Sequence, residues 1–474
     1  MKKSLRVLLI KPFNLSDHIQ PSLGLGYLAT AIRKKHNVFI LDSIKERIWG
    51  EKLIDYIQKI SPDIIGFQLY TFDLSKVREI LKLIKERFPQ IITIAGGPHP
   101  SALPKETLLH MKENLDFIFR GESEISFPKF VDIIADKGKS TFHDLNHEDL
   151  KNVEGLCWIR EGSFFSNPSM ITKDLDALGF PAWDIIKPQT YPEAQHGAFF
   201  RRFPIAPIMT GRGCPFSCTF CEGHIITGKE VRKRSVSNVI EEIKILTRDY
   251  GIREIHIVDD NFSMRKDYVM EFCHRILSEN INISWATPNG VRIDTLDKEM
   301  LLAMKKSGYY LASVGIEFGS DRMFKLVKKG LNRKKIEDGI RLIKSVGLEV
   351  AGFFIMGYPG ETKKEINETI KFALRLPLIR ANFFIFLPLP GTEIYKQLET
   401  SMELANVDWE HFYFTHPVYI YQGISVAELK NLQRKAFLKF YLRPNIFFSN
   451  LLQIKTPRQV KFLIQRLYRW LFTS

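Results

Sequence analysis

Cysteine is scarce in this chain, with five residues among 474, at positions 157, 214, 218, 221 and 273. So small and uneven a set excludes a disulfide-rich secreted fold. An uncharged apolar run of about 18 residues is also missing, so we expect no membrane span. The short apolar run near the N-terminus ends at Lys11-Pro12 without a cleavage site, which argues against a signal peptide. We therefore expect a cytoplasmic protein.

The composition is that of an ordinary globular protein, with 45% hydrophobic and 26% charged residues. A length of 474 residues is too great for one core and predicts several domains. We expect a first domain over 1–140, a linker with a small hairpin over 141–204, a barrel over 205–424 and a basic helical extension over 425–474.

The first domain alternates between short apolar runs and amphipathic helical patterns. Its strands are predicted at 5–10, 37–41, 63–69, 91–95 and 116–119. Such alternation predicts a flavodoxin- or Rossmann-like α/β domain, with a parallel, doubly wound sheet. Ligands of such sheets bind outside the carboxyl ends of the strands.

The second half alternates on a longer repeat. Its strands are predicted at 205–210, 253–258, 282–287, 311–316, 349–355 and 381–386, and a helical pattern follows each of the first five. Six β/α units predict an open (β/α)6 barrel, a partial relative of the eightfold barrel. The chemistry of such barrels lies where the strands end.

Three of the five cysteines follow the first barrel strand, in the pattern C-x3-C-x2-C at Cys214, Cys218 and Cys221. This tight spacing lets one loop hold three corners of a cubane 4Fe–4S cluster through thiolates, leaving one iron open for a substrate or cofactor. Two alternatives remain: a zinc site with His224 as fourth ligand, or three buried structural cysteines. Cys157 and Cys273 lie in apolar patterns and are predicted core residues.

The cysteine motif, with Phe220 before its last cysteine and a (β/α)6 barrel behind it, resembles the radical S-adenosylmethionine superfamily. Further matches follow the second, fourth, fifth and sixth barrel strands, at 258–262, 315–320, 352–361 and 382–392. Together these segments are similar to the subfamily that carries an N-terminal cobalamin-binding domain.

The resemblance implies that the open iron chelates S-adenosylmethionine, which is reductively cleaved to a 5′-deoxyadenosyl radical. It also implies an electron donor such as flavodoxin or ferredoxin. Glu317 would hold the ribose hydroxyls, and Asp259, Asp260 and Asn261 would lie near the methionine moiety. Asp-Asp-Asn after a strand is equally good turn and helix-capping chemistry, so a local structural role stays open.

The first domain resembles the cobalamin-binding half of these enzymes at 21–29, 96–99 and 120–124. Glycines at strand ends let the backbone approach a large flat ring, and free helix N-termini can bind its amide and phosphate groups. The residues that would lie at cobalamin are Gly24, Gly96, Gly97, Gly121 and Glu122.

The first domain departs from one common cobalamin pattern. Asp17 and His18 are adjacent and do not form the Asp-x-His-x-x-Gly motif that supplies an axial ligand in many cobalamin proteins. The resemblance therefore implies a cobalt without a histidine ligand from the protein. His18 and His99 are the alternative candidates.

The activity implied by the resemblance is methylation of an unactivated carbon of a small-molecule or lipid-like substrate. Members of the same architecture also catalyse radical cyclisation, oxidation or rearrangement without methyl transfer, and this alternative stays open. A third alternative is a non-catalytic or zinc-binding protein.

The tail carries one sign of charge. From Leu429 to the end there are ten Lys or Arg residues and no Asp or Glu. A basic amphipathic segment favours contact with a membrane surface through residues 429–474, on the inner membrane face and with a lipid or isoprenoid substrate. A helical cap on the barrel is the alternative; nucleic acid is not expected, because no recognition motif is present.

Overall fold

The computed structural model describes residues 4–14, 19–138, 144–193, 199–404, 407, 409, 412–421 and 423–472, with side chains as far as residue 465. The chain divides into two compact units. The first comprises Met1–Lys187, Glu222–Arg232 and Leu389–Thr392, and the second comprises Pro188–Cys221, Lys233–Pro388 and Glu393–Ser474.

The first unit contains one seven-stranded sheet. Its strands are β1 (Arg6–Lys11), β2 (Asn37–Asp42), β3 (Ile64–Gln68), β4 (Ile92–Gly96), β5 (Phe117–Phe119), β6 (Leu156–Arg160) and β7 (Ser163–Ser166). They lie in the order β2-β1-β3-β4-β5-β6-β7, and the first five are parallel. The order 2-1-3-4-5 is the flavodoxin-like one, which confirms the predicted fold class.

Helices cover both faces of this sheet. They are α1 (Leu23–Ile32), α2 (Ser43–Glu46), α3 (Glu51–Ile60), α4 (Leu74–Arg87), α5 (Pro98–Ala102), α6 (Pro104–Met111), α7 (Ser126–Asp136), α8 (His147–Leu150) and α9 (Trp183–Ile186). Alternate side chains of β1 enter opposite apolar layers, Val7 and Leu9 on one face and Leu8 and Ile10 on the other. This burial on two faces is why the strands read as continuous apolar runs.

The hairpin expected in a linker is part of the first sheet. Glu161 and Gly162 form its turn with positive φ, and β6 pairs antiparallel with β5 through Ile118 and Cys157. The segment predicted as a linker over 141–204 is therefore divided, with the residues up to Lys187 in the first unit. The hairpin belongs to the first sheet because β6 pairs with β5, which is distant in the sequence. Local sequence patterns do not predict such a pairing.

The second unit contains the barrel. Its strands and the short ones near its start are β8 (Ile205–Ile208), β9 (Gly211–Arg212), β10 (Arg232–Lys233), β11 (Glu254–Ile257), β12 (Ser284–Val291), β13 (Tyr309–Glu317), β14 (Glu349–Met356) and β15 (Arg380–Ile385). Six of them form a parallel sheet in the order β8-β11-β12-β13-β14-β15. This sequential order is that of the predicted open (β/α)6 barrel.

The remaining helices follow these strands. They are α10 (Gly223–Thr227), α11 (Val236–Tyr250), α12 (Lys266–Ser278), α13 (Lys298–Lys306), α14 (Asp321–Leu326), α15 (Arg333–Ser345), α16 (Lys363–Arg375), α17 (Glu393–Thr400), α18 (Val426–Tyr441), α19 (Pro444–Leu451) and α20 (Pro457–Phe472). Polar residues cap the long ones: Ser235, Asp297, Asn332 and Thr362 each accept a backbone N–H in the first turn. Helix α10 belongs to the first unit.

A buried carboxylate ties the amino end of the barrel together. Glu254 accepts hydrogen bonds from the backbone N–H groups of Arg201 and Arg202 at 2.8 and 2.6 Å. It also pairs with His256 Nε2 at 2.9 Å and accepts from the Tyr310 hydroxyl at 2.7 Å. The segment before β8 is thereby fastened to β11 and β13.

Helix α18 covers the last strand of the barrel. Gln433 Nε2 donates to the Phe383 carbonyl at 2.7 Å, and the Tyr441 hydroxyl donates to the Ala381 carbonyl at 3.0 Å. The Phe440 and Phe383 rings meet edge to face at 6.2 Å. The inner face of the tail thus acts as a helical cap, and among the described residues no helix combines the length and apolarity needed to cross a bilayer.

Candidate functional site

The three clustered cysteines lie on the loop that begins after β9 and ends at α10. Cys214 and Cys218 are half-buried and Cys221 is exposed. By contrast Cys157 and Cys273 are buried in the core, as predicted, and burial raises the pKa of Cys273 to about 11. Thiolates are the form that binds metal, so the loop cysteines are the better donors of the five.

Thr219, in the middle of this loop, anchors it to the barrel. Its backbone N–H donates to the Val327 carbonyl at 3.2 Å, and its carbonyl accepts from the Ile394 N–H at 3.0 Å. Its hydroxyl lies 2.7 Å from the Tyr358 hydroxyl. The loop is therefore held between three other segments of the unit while its thiols stay accessible.

Two cations lie over the aromatic rings of the loop. The Arg292 guanidinium is 3.5 Å from the centre of the Phe216 ring, and the Lys329 ammonium is 5.9 Å from that of Phe220. Arg292 also donates to the Lys329 carbonyl at 2.7 Å. Burial raises the pKa of the Cys214 thiol, while the nearby Arg292 charge acts to lower it.

Glu317 is held in a strained conformation at the end of β13. Its φ is +65°, and the pairing of β13 with β14 shifts register between Gly315 and Glu317. This backbone conformation is energetically unfavourable for a non-glycine residue. Residues held in such conformations cluster at functional sites. A Cβ at Gly315 would lie 2.4 Å from Glu317 Oε1, so only glycine admits the carboxylate there.

The Glu317 carboxylate is buried, and only one of its two oxygens accepts a hydrogen bond from the described residues. Lys329 Nζ donates to Oε1 at 2.7 Å. Within the described residues Oε2 has no hydrogen-bond partner. One carboxylate oxygen, beside the same lysine that approaches Phe220 of the cysteine loop, is thus available to a ligand.

Asp259, Asp260 and Asn261 follow β11 as predicted, and each forms hydrogen bonds with other residues of the chain. Asp259 accepts from the Thr210 N–H and hydroxyl at 2.6 and 2.5 Å and from Lys233 Nζ at 2.9 Å.

Asp260 is exposed and accepts from the Gly213 N–H at 3.2 Å, directly before the first cysteine of the loop. Asn261 is buried and bonded to the Ser263 hydroxyl at 3.3 Å. The two aspartates therefore support the chain before the cysteines, and cofactor contact by these three residues stays a prediction.

Sequence reasoning missed Arg292, Lys329, Tyr358 and Glu361 as residues that build this site. Glu361 is 1% exposed and accepts from the Gly357 and Tyr358 N–H groups at 2.7 and 3.3 Å. Burial raises the pKa of Glu361 to about 8. Their positions just after barrel strands could have indicated them. Arg292 directly follows β12, and Glu361 follows the Gly-Tyr-Pro-Gly turn after β14.

In the first unit the predicted glycines lie at strand and helix ends. Gly97 has a φ of +108°, and a Cβ there would lie 2.9 Å from the Leu69 carbonyl oxygen, so the fold itself requires glycine. Gly121 has a φ of +70°. Gly96 and Gly24 have φ values open to any residue, and Gly24 is exposed at the start of α1, where an added Cβ would meet no atom within 4 Å.

The other candidates of this unit are engaged within it. Both oxygens of Glu122 accept from the Arg232 guanidinium, at 2.7 and 3.0 Å, and Oε2 also accepts from the Thr172 N–H. The His99 ring is buried, its Nδ1 lies 3.0 Å from the Thr71 hydroxyl, and burial lowers its pKa to about 4. His18 lies outside the described residues.

The donor set fits an iron–sulfur cluster. A cubane binds each thiolate to a different iron, so its three ligands must surround the cluster and do not converge on one ion. In the described part of the chain, no three His, Cys, Asp or Glu side chains form a ready single-ion site. His224, the fourth ligand of the zinc alternative, lies on α10.

The sequence matches two known families. Residues 208–373 match the radical SAM superfamily, and residues 16–131 match the B12 binding domain. The first match includes all three loop cysteines and Glu317, and the second covers β2 to β5 with most of their helices.

Curated relatives span the whole architecture. The uncharacterized methyltransferase PH0819 of Pyrococcus horikoshii is 31% identical over 91% of this chain and 90% of its own. The hopanoid C-3 methylase of Methylococcus capsulatus is 25% identical over 84% and 72%, respectively. The anaerobic magnesium-protoporphyrin IX monomethyl ester cyclase of Cereibacter sphaeroides is 24% identical over 90% and 68%.

Among solved structures the fold is similar to that of OxsB, a cobalamin-dependent S-adenosylmethionine radical enzyme. The TM-score is 0.74 at 17% identity, over 98% of this chain and 71% of OxsB. The two family matches and the full-length relatives agree with this fold. The chain therefore belongs to the radical SAM superfamily, as a cobalamin-dependent enzyme whose cofactors are a 4Fe–4S cluster, S-adenosylmethionine and cobalamin.

Proposed function

We propose that this enzyme transfers a methyl group to an unactivated carbon of a small-molecule or lipid-like substrate. The observation that carries the proposal is the presence, in one chain, of a cysteine loop at the barrel's strand ends and a flavodoxin-like sheet whose strands β2 to β5 match the B12 binding domain. Relatives named as methyltransferase and methylase support it. When bound, the cluster with S-adenosylmethionine supplies a radical able to remove hydrogen from carbon, and cobalamin supplies the methyl group.

Cys214, Cys218 and Cys221 are the proposed cluster ligands. Their loop is anchored at Thr219, between the second and third cysteine, so the thiols can adjust around the cluster without loss of the loop's position. The cations over Phe216 and Phe220 partly balance the negative charge of three thiolates.

Glu317 is the proposed ribose ligand of S-adenosylmethionine. Its free Oε2 can accept from a ribose hydroxyl while Lys329 holds Oε1 in place. The strained backbone keeps the carboxylate oriented before the ligand arrives, which reduces the entropy lost on binding.

Gly24, Gly96, Gly97 and Gly121 are the proposed cobalamin-contacting positions. Gly24 is the most informative, because among the described residues no atom lies within 4 Å of a Cβ added there. Glu122 acts through Arg232 and Thr172 to hold the loop after β5. Proton transfer by a Ser-His-Asp or paired-carboxylate device is not required by this reaction.

Radical cyclisation is the second candidate, because a cyclase is among the relatives. Methyl-labelled S-adenosylmethionine, a reductant such as flavodoxin or ferredoxin, and cell extract distinguish the two reactions. Label in a product supports methyl transfer. Release of 5′-deoxyadenosine with substrate consumed and no label in any product would instead support cyclisation, oxidation or rearrangement.

The cluster assignment is tested with Cys218→Ala and its matched control Cys273→Ala. We expect the first to lose most of the iron and acid-labile sulfide after anaerobic reconstitution, and the second to keep both. A normal cluster spectrum in Cys218→Ala would overturn the assignment.

A further inference from the structure

The outer side of the C-terminal helices carries a ridge of large apolar side chains. We define the apolar ridge as Leu438, Leu442, Phe447, Phe448, Leu451 and Leu452, which are 45, 66, 50, 60, 52 and 84% exposed. Large apolar side chains exposed together on consecutive helices mark a site of interaction with a protein or a membrane.

The ridge is built into the helices and does not result from a loose tail. On α18 the inward side chains, such as Leu429 and Phe440, are buried against the barrel, whereas Leu438 and Leu442, four residues apart, share the outer side. The junction to α19 is fastened by Arg443, which donates to the Leu374 carbonyl at 2.9 Å.

Helix α19 continues the ridge. Phe447 and Leu451 are four residues apart, as are Phe448 and Leu452, so these pairs lie on neighbouring lines along one side. Ile446 is buried on the other side. One side of α19 therefore packs against the protein, and the other side is apolar and exposed.

Exposed cations lie on the same C-terminal helices as the ridge and on α20. Between Leu429 and the end of the chain there are ten Lys or Arg and no Asp or Glu. Lys439, Arg458 and Lys461 are exposed, and in the described part of the chain these three form no ion pair.

We propose that the apolar ridge and the exposed cations of the C-terminal helices dock on an anionic lipid bilayer. Apolar residues enter the acyl boundary while cations meet the phosphate groups, which is how interfacial helices bind. A nucleic acid would use the cations but leave the phenylalanines and leucines in water. A second copy of this chain would bring the exposed Lys439, Arg458 and Lys461 of each copy towards one another, which repels. The proposal is independent of the reaction catalysed.

The first test measures flotation of the reconstituted full chain with vesicles of equal parts phosphatidylcholine and phosphatidylglycerol. We expect the wild type to float with these vesicles, and to do so less at high salt. It should not bind vesicles of phosphatidylcholine alone. The double variant Phe447→Ser and Phe448→Ser should weaken binding by about tenfold or more. The matched control, Leu109→Ser and Leu277→Ser, removes two exposed apolar residues elsewhere and should bind as wild type.

The second test separates the charge from the apolar contribution. Lys439→Gln with Lys461→Gln should weaken binding roughly 25-fold, since each cation near an anionic surface contributes about fivefold. Lys59→Gln with Lys105→Gln makes the same change in net charge on the first unit and should leave binding unchanged. Far-ultraviolet circular dichroism and cluster absorbance check that each variant is folded.

Three results would overturn the proposal. The first is equal flotation of the ridge variant and its control. The second is binding of the wild type to duplex DNA or RNA in place of anionic vesicles. The third is a concentration-dependent dimer, without lipid, that the ridge variant abolishes. Methylation activity enters none of these measurements, so failure here leaves the proposed function untouched.

Discussion

Glu317 has two features that packing alone does not explain, a φ of +65° and a buried carboxylate with one oxygen unpaired among the described residues. We expect Glu317→Gln to bind S-adenosylmethionine roughly 10- to 100-fold more weakly, because a hydrogen bond to a charged group is lost. Equilibrium dialysis on the cluster-loaded protein measures this. Glu349→Gln, at the opposite end of the neighbouring strand, is the control, and equal affinity in both variants would refute the role.

Gly24 permits a test of cobalamin contact that separates ligand from fold. Alanine at this open helical position should raise the stability of the cofactor-free protein by about 0.5 kcal/mol and lower its affinity for cobalamin. Thermal unfolding and the cobalamin absorbance spectrum provide the two readouts. At Gly26 a Cβ would lie 2.6 Å from Ile186, so Gly26→Ala should destabilise the fold instead. Unchanged cobalamin affinity in Gly24→Ala would exclude close approach of the ring there.

The buried Glu361 should make stability depend on pH. Burial raises the pKa of Glu361 to about 8, above the unfolded value near about 4.3, so the folded state holds the proton more tightly. Glu361 therefore contributes its full stabilisation to the free energy of unfolding below the unfolded-state pKa. This contribution is lost as pH rises through the folded-state pKa.

Glu361→Gln mimics the protonated side chain and should remove this dependence. Between about pH 5 and pH 8 the free energy of unfolding should fall less in the variant than in the wild type. Urea denaturation across that range measures it. Parallel pH profiles for the two proteins would show that Glu361 does not titrate there.

At the scale of elements, the barrel depends on contacts at both ends of its strands. Glu254 joins the segment before β8 to β11 and β13 through four hydrogen bonds. We expect Glu254→Ala to lower the free energy of unfolding by about 3–5 kcal/mol, because it removes the centre of a buried network. Urea denaturation, with the surface substitution Glu241→Ala as control, measures the loss; a change below about 1 kcal/mol would contradict it.

The elements themselves were largely predictable. Five long helices begin at residues 236, 266, 298, 333 and 363, each after a barrel strand that was predicted to be followed by a helical pattern. Capping residues such as Ser235 and Thr362 mark such starts in the sequence. The pairing of the hairpin with β5 was not predictable, since its strands join residues some forty positions away in the chain.

At the scale of the whole molecule, the first unit is completed by a segment from the middle of the chain. Arg232 lies 110 positions after Glu122 and forms a buried ion pair with it. In the full chain, Glu122→Gln should therefore cost about 3–5 kcal/mol. In a fragment of residues 1–187, which lacks Arg232, the same substitution should no longer destabilise. Urea denaturation of the four proteins decides this, and an equal cost in both contexts would argue against the pair.

The sequence by itself determined the two α/β architectures, the order of their elements and the three candidate cluster ligands. These follow from local periodicity, from caps and from close spacing within one loop, all of which are properties of neighbouring residues. Only the tertiary structure decided that Lys329 holds Glu317, that Asp259 is occupied by Thr210 and Lys233, and that Glu122 is paired with Arg232. Such contacts join residues far apart in the chain, and a buried charge takes whichever partner the fold brings within reach.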